Sequence, residues 1–455
     1  MGLRRIFEYS IFVFIFICFT SCQSSHNQEA LDDYFQSQLN SWNKNLTNVI
    51  IGDIFTPPVA SRIYAYANVA AYEASVVSST SYQTLAGQLN EFTAVPAPAN
   101  ENIYHPLASI IAFSKTGRAL VFDKEAMQDY EDDFLKQVKE IGISDQVYEA
   151  SVEYGNQVAD HIIAWASKDG YKDREALTRY NLLDAPGKWK PTPPDYMPAI
   201  EPHWNTIRTM VLDSAQQFPP PPPTSFDTIA TSQFFKEAKE VYDAVKNASD
   251  EHLEIAKFWD CNPNISFTKG HVMFYTQKIS PGGHWISIAS IATEKEGLPF
   301  MDRSAIFALT AVCLYDAFIS CWDEKFRSSL IRPETYINKY LDKEWRPLLQ
   351  TPAFPEYTSG HSVISRAAAE SLTYMLGDNF AFLDSTEVEF GLPTREFESF
   401  YDASDEAAIS RMYGGIHYLP ACVNGVEQGK NVAQFILKNI RLKKDAVSEL
   451  KKPKP

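Results

Sequence analysis

The last third of the chain collects residue types that suit one kind of ligand. Lys325 stands seven residues before Arg332-Pro333, Ser359-Gly360-His361 follows, and then Arg411 with His417 six residues beyond it. Arginine offers a planar fork of donors and lysine a compact charge, so three cations with two imidazoles suit a tetrahedral or trigonal-bipyramidal oxyanion. Gly360 lets a backbone approach an anion with no Cβ in the way, and Ser359 is placed to cap the Ala-rich run through Ala367, Ala368 and Ala369, whose first amides are unpaired. His361 at that terminus is placed to exchange protons with the ligand. Gly414-Gly415 permits a tight turn or close approach between Arg411 and His417. Taken singly, each pair is what a solvated face, a helix start or a core contact commonly shows; the ordered set carries the reading.

These residues need rigid elements behind them, and the periodicity supplies helices. Apolar residues recur at helical spacing over residues 31–45, 59–79, 106–122, 125–141 and 146–168, with Gly142 and Gly170 as stop signals. The pattern resumes over 232–247, 250–258, 302–321, 362–376, 405–412 and 423–442. If the helix bearing Lys325 continues, Arg332 lies two turns on, about 10 Å along the same face. Pro333 biases Arg332 toward extended backbone. Strand signals are sparse. The expected class is all-α, in two helical-bundle halves (31–182 and 229–445), with the oxyanion site in the C-terminal bundle. Between them, residues 183–228 hold repeated prolines and the run Pro219 to Pro223, which no helix can traverse; they read as a boundary or a long wrapping segment.

The 455 residues are 45% hydrophobic, ample for a large core, and carry net charge −16. That charge argues against a nucleic-acid partner and makes an internal basic cluster a local device. The basic tail 446–455 reads as solvated. At the other end, Arg4 and Arg5 precede the apolar run Ile11 to Phe19, too short for a stable membrane span. Small residues then precede Cys22, as in a bacterial lipobox. The expectation is a signal peptide over 1–21, a lipid anchor on Cys22 as the sole membrane attachment, a polar tether over 22–30, and an exported, envelope-anchored protein facing the periplasm or the surface. Cys261, Cys313, Cys321 and Cys422 follow neither a CxxC nor a zinc spacing, and Cys313 and Cys321 fit a helical core. Disulfides are permitted by export but not indicated. His284, after Gly282-Gly283, reads as a structural turn histidine.

The order Lys-x6-Arg-Pro, Ser-Gly-His, Ser-Arg-x5-His resembles the signature shared by type 2 phosphatidic acid phosphatases and vanadium-dependent haloperoxidases. Trp322 three residues before the lysine and Phe354 seven before His361 resemble the haloperoxidase branch, in particular bacterial iodoperoxidases. The similarity extends back through Phe258-Trp259-Asp260 and Gly282-Gly283-His284-Trp285, over at least residues 255–440. The resemblance implies one vanadate per subunit, its oxygens held by Lys325, Arg332, Ser359, Gly360 and Arg411. It implies His417 as axial vanadium ligand and His361 as acid/base. Trp322 and Phe354 would line the halide side, Asp260 would orient Arg411, and Asp323 is a candidate neighbour of Lys325. The implied substrates are hydrogen peroxide and a halide, most readily iodide, giving hypohalous acid. Phosphate, nearly isosteric with vanadate, is the competing occupant. Two other readings stay open: an acid phosphatase with a histidine nucleophile, and a non-catalytic phosphate-binding envelope lipoprotein. One position departs from the pattern. Where many members carry an aspartate four residues after the last histidine, this chain has Ala421. A backbone carbonyl is the expected substitute partner for His417.

Overall fold

The computed structural model describes residues 28–444 apart from 264 and 270. The expected signal peptide, the Cys22 anchor and the basic tail lie outside the described residues. Of the expected tether, residues 28–30 are already helical.

The chain is all-α in architecture. Its first half holds α1 (Gln38–Gly52), α2 (Pro57–Val76), α3 (His105–Leu120), α4 (Lys124–Ile141) and α5 (Asp145–Ala166). Every residue of α2 is buried. Its alanines allow the close approach of neighbours on all sides, and Pro57 opens it at a position where no amide donor is needed. Helix α4 stops where the sequence signals it, at Gly142 with φ 101°. The second half holds α6 (Gln233–Lys246), α7 (Asp250–Phe258), α8 (Pro281–Lys295), α9 (Phe300–Ser328), α10 (Pro333–Tyr340), α11 (Gly360–Leu376), α12 (Phe400–Tyr413) and α13 (Leu419–Asn439). Helix α9 is long and apolar enough to cross a bilayer by length and composition, but its apolar stretch is wholly buried in protein. It is the central core helix. One hydrophobic core takes residues from both halves, from Leu39 and Tyr66 through Phe307 and Leu314 to Val432.

Three features went beyond the periodicity, the first being the short helix α10 that Pro333 opens. Residues 281–295 form α8, whose opening Pro281-Gly282-Gly283 reads in sequence as a turn rather than a helix start. Two short antiparallel hairpins also occur: β1 (Ser266–Lys269) with β2 (Val272–Tyr275), and β3 (Phe382–Asp384) with β4 (Arg395–Phe397). The proline-rich segment wraps the second half. The Trp189 amide donates to the Ser329 carbonyl at 2.8 Å and the Ile331 amide to the Gly187 carbonyl at 2.9 Å. Farther along, the buried carboxylate of Asp316 on α9 accepts the amides of Met210, Val211 and Leu212.

Candidate oxyanion site

The site lies where the C-terminal end of α9, the N-terminus of α11 and the turn between α12 and α13 converge. Helix α9 ends at Ser328, and Ser329 turns the chain with φ 48°. Lys325 and Arg332 are therefore not two turns apart on one helix. The extended backbone at Arg332 (φ −74°, ψ 150°), which Pro333 favours, carries the arginine into the same pocket from a different direction.

Lys325 is fully buried, and its ammonium donates to the carbonyls of Pro355 (3.1 Å), Glu356 (3.1 Å) and Thr358. All three of its protons thus fasten the loop that carries Ser359, while its charge remains within the pocket. Burial, with Arg332 alongside, pushes it down to about 8. Arg332 donates from Nε to the Phe354 carbonyl (2.9 Å) and from Nη1 to the Ile416 carbonyl (2.9 Å) and to His417 Nε2 (3.1 Å). Its Nη2 is buried without a partner. Arg411 donates from Nη1 to the Trp259 carbonyl at 2.7 Å, and its Nε is buried without a partner. Burial lowers both guanidinium groups, Arg332 to about 10.

Ser359 caps α11 by accepting the Ser362 amide, and Gly360 and His361 are the first two residues of that helix, where backbone donors lack intrahelical partners. A Cβ at Gly360 would stand 3.7 Å from the Trp322 ring. His361 keeps Nε2 buried and unpartnered, and its other nitrogen shares the Trp259 carbonyl with Arg411. Burial, then Arg411 and His284, hold it well below the usual imidazole range, so it is neutral at neutral pH.

His417 is held from one side by an acid that the sequence reading missed. Its Nδ1–H donates to Glu356 Oε1 at 2.8 Å, and the same oxygen accepts the Tyr418 amide at 3.0 Å. This carboxylate, and not a backbone carbonyl, takes the place left by Ala421. It comes from the loop before α11, about sixty positions away in sequence, so no local motif around His417 signals it. The available hint was an acid inside the otherwise uncharged stretch Thr351 to His361. Burial raises Glu356 to about 7 against the pull of Arg332 and Lys325. His417 is held well below its usual range by burial and by Arg332, Lys325 and Arg411. A neutral ring that donates through Nδ1 presents a lone pair on Nε2.

The pocket wall includes Trp322, Phe354, His361, Arg411, His417, and Pro57 from the first half. Trp322 and Phe354 pack with ring centroids 5.0 Å apart, and the Lys325 and Arg332 cations each lie 5.0 Å from the Phe354 ring. Asp260 pairs with Lys278 at 2.6 Å and acts on Arg411 through its field, opposing the effect of burial. Asp323 points away, under the strap, where it accepts from Asn205 (3.0 Å), Gln216 (3.3 Å) and Arg327 (3.2 Å). Of the residues singled out in sequence, Gly360, His361, Arg411, His417, Trp322 and Phe354 line one pocket, and Lys325, Arg332 and Ser359 stand directly against them, at Phe354, His417 and the start of α11. Asp260 lies one step behind it, and Asp323 faces elsewhere.

Unpartnered buried donors are costly, so the two open guanidinium N–H groups, Arg332 Nη2 and Arg411 Nε, imply an acceptor that is not part of the chain. An oxyanion with a central atom able to accept a fifth ligand fits this donor set: guanidinium and helix-terminal amides for its oxygens, and a lone pair on Nε2 for its centre. Vanadate meets both conditions.

Residues 305–443 match the family model of the VCPO second helical-bundle domain. The whole chain is similar to the crystal structure of a bacterial vanadium-dependent iodoperoxidase, with a TM-score of 0.85 and 46% identity over 90% of this chain and 97% of that one. It also shares its fold with a bacterial vanadium-dependent chloroperoxidase. The holo form gives a TM-score of 0.64 at 17% identity, covering 85% of this chain and 94% of that one. The apo form gives 0.62 at 16%, covering 85% and 95%. No curated protein matches.

Proposed function

Because this chain belongs to the vanadium-dependent haloperoxidase family, we propose that it holds vanadate in this pocket and oxidises iodide with hydrogen peroxide to hypoiodous acid. The observation that carries the proposal is that Arg411 Nε and His361 Nε2 are buried and unpartnered on residues lining the pocket beside His417, with Arg332, whose Nη2 is also unpartnered, bonded to His417. Vanadate, when bound, supplies a Lewis acid that makes peroxide electrophilic without a change of metal oxidation state.

The chain's own residues do the rest. Arg332, Arg411 and the α11 amides bind and orient the oxyanion, and the buried charge of Lys325 offsets its negative charge while its three hydrogen bonds keep the loop in place. His417 supplies the Nε2 lone pair, and Glu356 sets its tautomer and ring plane. His361, neutral and with Nε2 open to the pocket, takes a proton from incoming peroxide and returns one to the leaving oxygen. Trp322 and Phe354 exclude water and give a large, polarisable halide an apolar wall. Iodide is the easiest halide to oxidise, and the 46% identity to a protein described as an iodoperoxidase supports that choice. Export and a lipid anchor on Cys22 are part of the same proposal, supported by Arg4, Arg5 and the apolar run ending before Cys22. Cys22→Ser is expected to abolish incorporation of labelled fatty acid, and unchanged incorporation refutes the anchor.

The test is direct. The purified chain is stripped of phosphate, loaded with vanadate, and assayed for iodide and bromide oxidation by peroxide. Vanadate-dependent oxidation, faster with iodide, is expected. Turnover of phosphate esters with no vanadate-dependent oxidation overturns the proposal in favour of the phosphatase reading.

A further inference from the structure

Behind the oxyanion pocket lies a second buried cluster that this chemistry does not use. Cys261 follows α7, His284 lies in the first turn of α8, and Asp384 and Glu387 lie at and just beyond the end of β3. All four are buried. Cys261 Sγ lies 3.2 Å from His284 Nδ1 and 3.7 Å from Glu387 Oε1, and that oxygen lies 3.2 Å from the same Nδ1. The other ring nitrogen, Nε2, meets Asp384 Oδ2 at 2.8 Å and Thr386 Oγ1 at 2.7 Å.

We propose that Cys261, His284 and Glu387 bind a zinc ion that clamps three chain segments behind the oxyanion pocket. The donor triangle has the right size. Zinc bonds of about 2.0–2.3 Å at tetrahedral angles give donor–donor edges of roughly 3.3–3.6 Å, close to the three distances observed. The donor types are those zinc takes, and Asp384 behind His284 orients the ring as carboxylates do behind zinc-bound histidines. The three protein ligands leave a fourth position for water, and Cys261 lines the pocket wall from which water reaches it.

The clamp has a defined effect on its neighbour. The Trp259 ring stacks on His284 at 4.6 Å, and the Trp259 carbonyl fixes both Arg411 and His361. Tying Cys261 to His284 therefore holds the backbone that aims these two side chains. Coordination also protects a thiol beside a site that makes oxidant; that benefit rests on the haloperoxidase reading, whereas the zinc site does not.

The experiment uses the full chain, purified without a polyhistidine tag and with no vanadate or halide. Elemental analysis is expected to give one zinc per chain after gel filtration. Exchange with cobalt(II) is expected to give the near-ultraviolet thiolate-to-cobalt absorption and visible bands of a tetrahedral site. Cys261→Ser is expected to remove the ultraviolet band, Glu387→Gln to weaken cobalt affinity at least 10-fold, and His417→Ala to leave the spectrum unchanged. A wild-type chain that carries no zinc and shows no such absorption with one equivalent of cobalt overturns the proposal. So does a spectrum that survives in Cys261→Ser, or one that vanishes in His417→Ala.

Discussion

His417 and His284 are both buried and both lean on a carboxylate through one ring nitrogen, yet their surroundings at the other nitrogen are opposite. His417 gives Nδ1 to Glu356 and turns Nε2 toward Arg332, with Lys325 and Arg411 nearby. His284 gives Nε2 to Asp384 and turns Nδ1 toward Cys261 and Glu387. Burial alone lowers both, and the neighbours decide the outcome. Cations hold His417 well below its usual range, whereas acids raise His284 well above it. The same orienting device therefore serves ligands of opposite sign: an oxyanion on one side of Trp259 and a cation on the other.

The sharpest break in this contrast comes at His417. Replacing it with alanine removes the only imidazole lone pair that Arg332 faces. Loss of vanadate retention after gel filtration is expected, with iodide oxidation falling at least 10³-fold. An active His417→Ala protein with bound vanadate would show that the oxygens alone hold the group. On the other side, Asp384→Asn removes the acid at Nε2 of the buried His284. A loss of about 3 kcal/mol of unfolding free energy is expected in urea, with vanadate affinity in the folded protein weakened but not lost, because the Trp259 backbone that aims Arg411 and His361 is held less firmly. A stable variant that no longer binds vanadate would mean the two histidines form one functional unit.

Glu356→Gln tests the orienting role more finely. The amide can still accept the Nδ1 hydrogen bond but loses its charge, so vanadate affinity is expected to fall by about 10–100-fold. Equilibrium dialysis reads this without turnover. Glu356→Ala should fall further. Introducing an aspartate at Ala421 in the Glu356→Ala background tests whether the acid can be supplied from the position other family members use. Equal affinity in all three variants would remove Glu356 from the account.

How much of this was legible in the sequence follows from distance along the chain and from which forces act. The helices bearing the site could be read because they are long runs rich in apolar residues and alanine without an internal glycine or proline, as α9 is over Phe300–Ser328, and Arg332-Pro333, Ser359-Gly360 and Gly414-Gly415 could be read because each is a local backbone requirement. Helix α8 was not, since it opens on Pro281-Gly282-Gly283, a run that reads as a turn. Glu356 and the Cys261–His284–Glu387 cluster were not, because partners separated by 23 to more than 100 positions leave no spacing to recognise. The assumption of a continuous helix from Lys325 to Arg332 failed at Ser329, where the turn is fixed by the strap: the Ser329 carbonyl accepts the Trp189 amide. Asp323 was placed near Lys325 by adjacency in sequence, but successive helix residues point about 100° apart, and the strap claims it.

The smallest expected effect belongs to that strap, and it separates scaffold from site. Asn205 Nδ2 donates to Asp323 Oδ1 at 3.0 Å, while Gln216 and Arg327 also serve the same carboxylate. Asn205→Ala removes one of several donors to a charged acceptor, so the acceptor is not left bare. A loss of about 1 kcal/mol in unfolding free energy is expected, with vanadate affinity and the rate of iodide oxidation unchanged. The reason is directional. Asp323 faces the strap, whereas Trp322 on α9 lines the pocket and Lys325 holds the loop before α11, so the strap can loosen without turning that side of the helix. A clear fall in vanadate affinity with little change in stability would mean the strap positions α9 for binding, and Asp323 would then belong with the site after all.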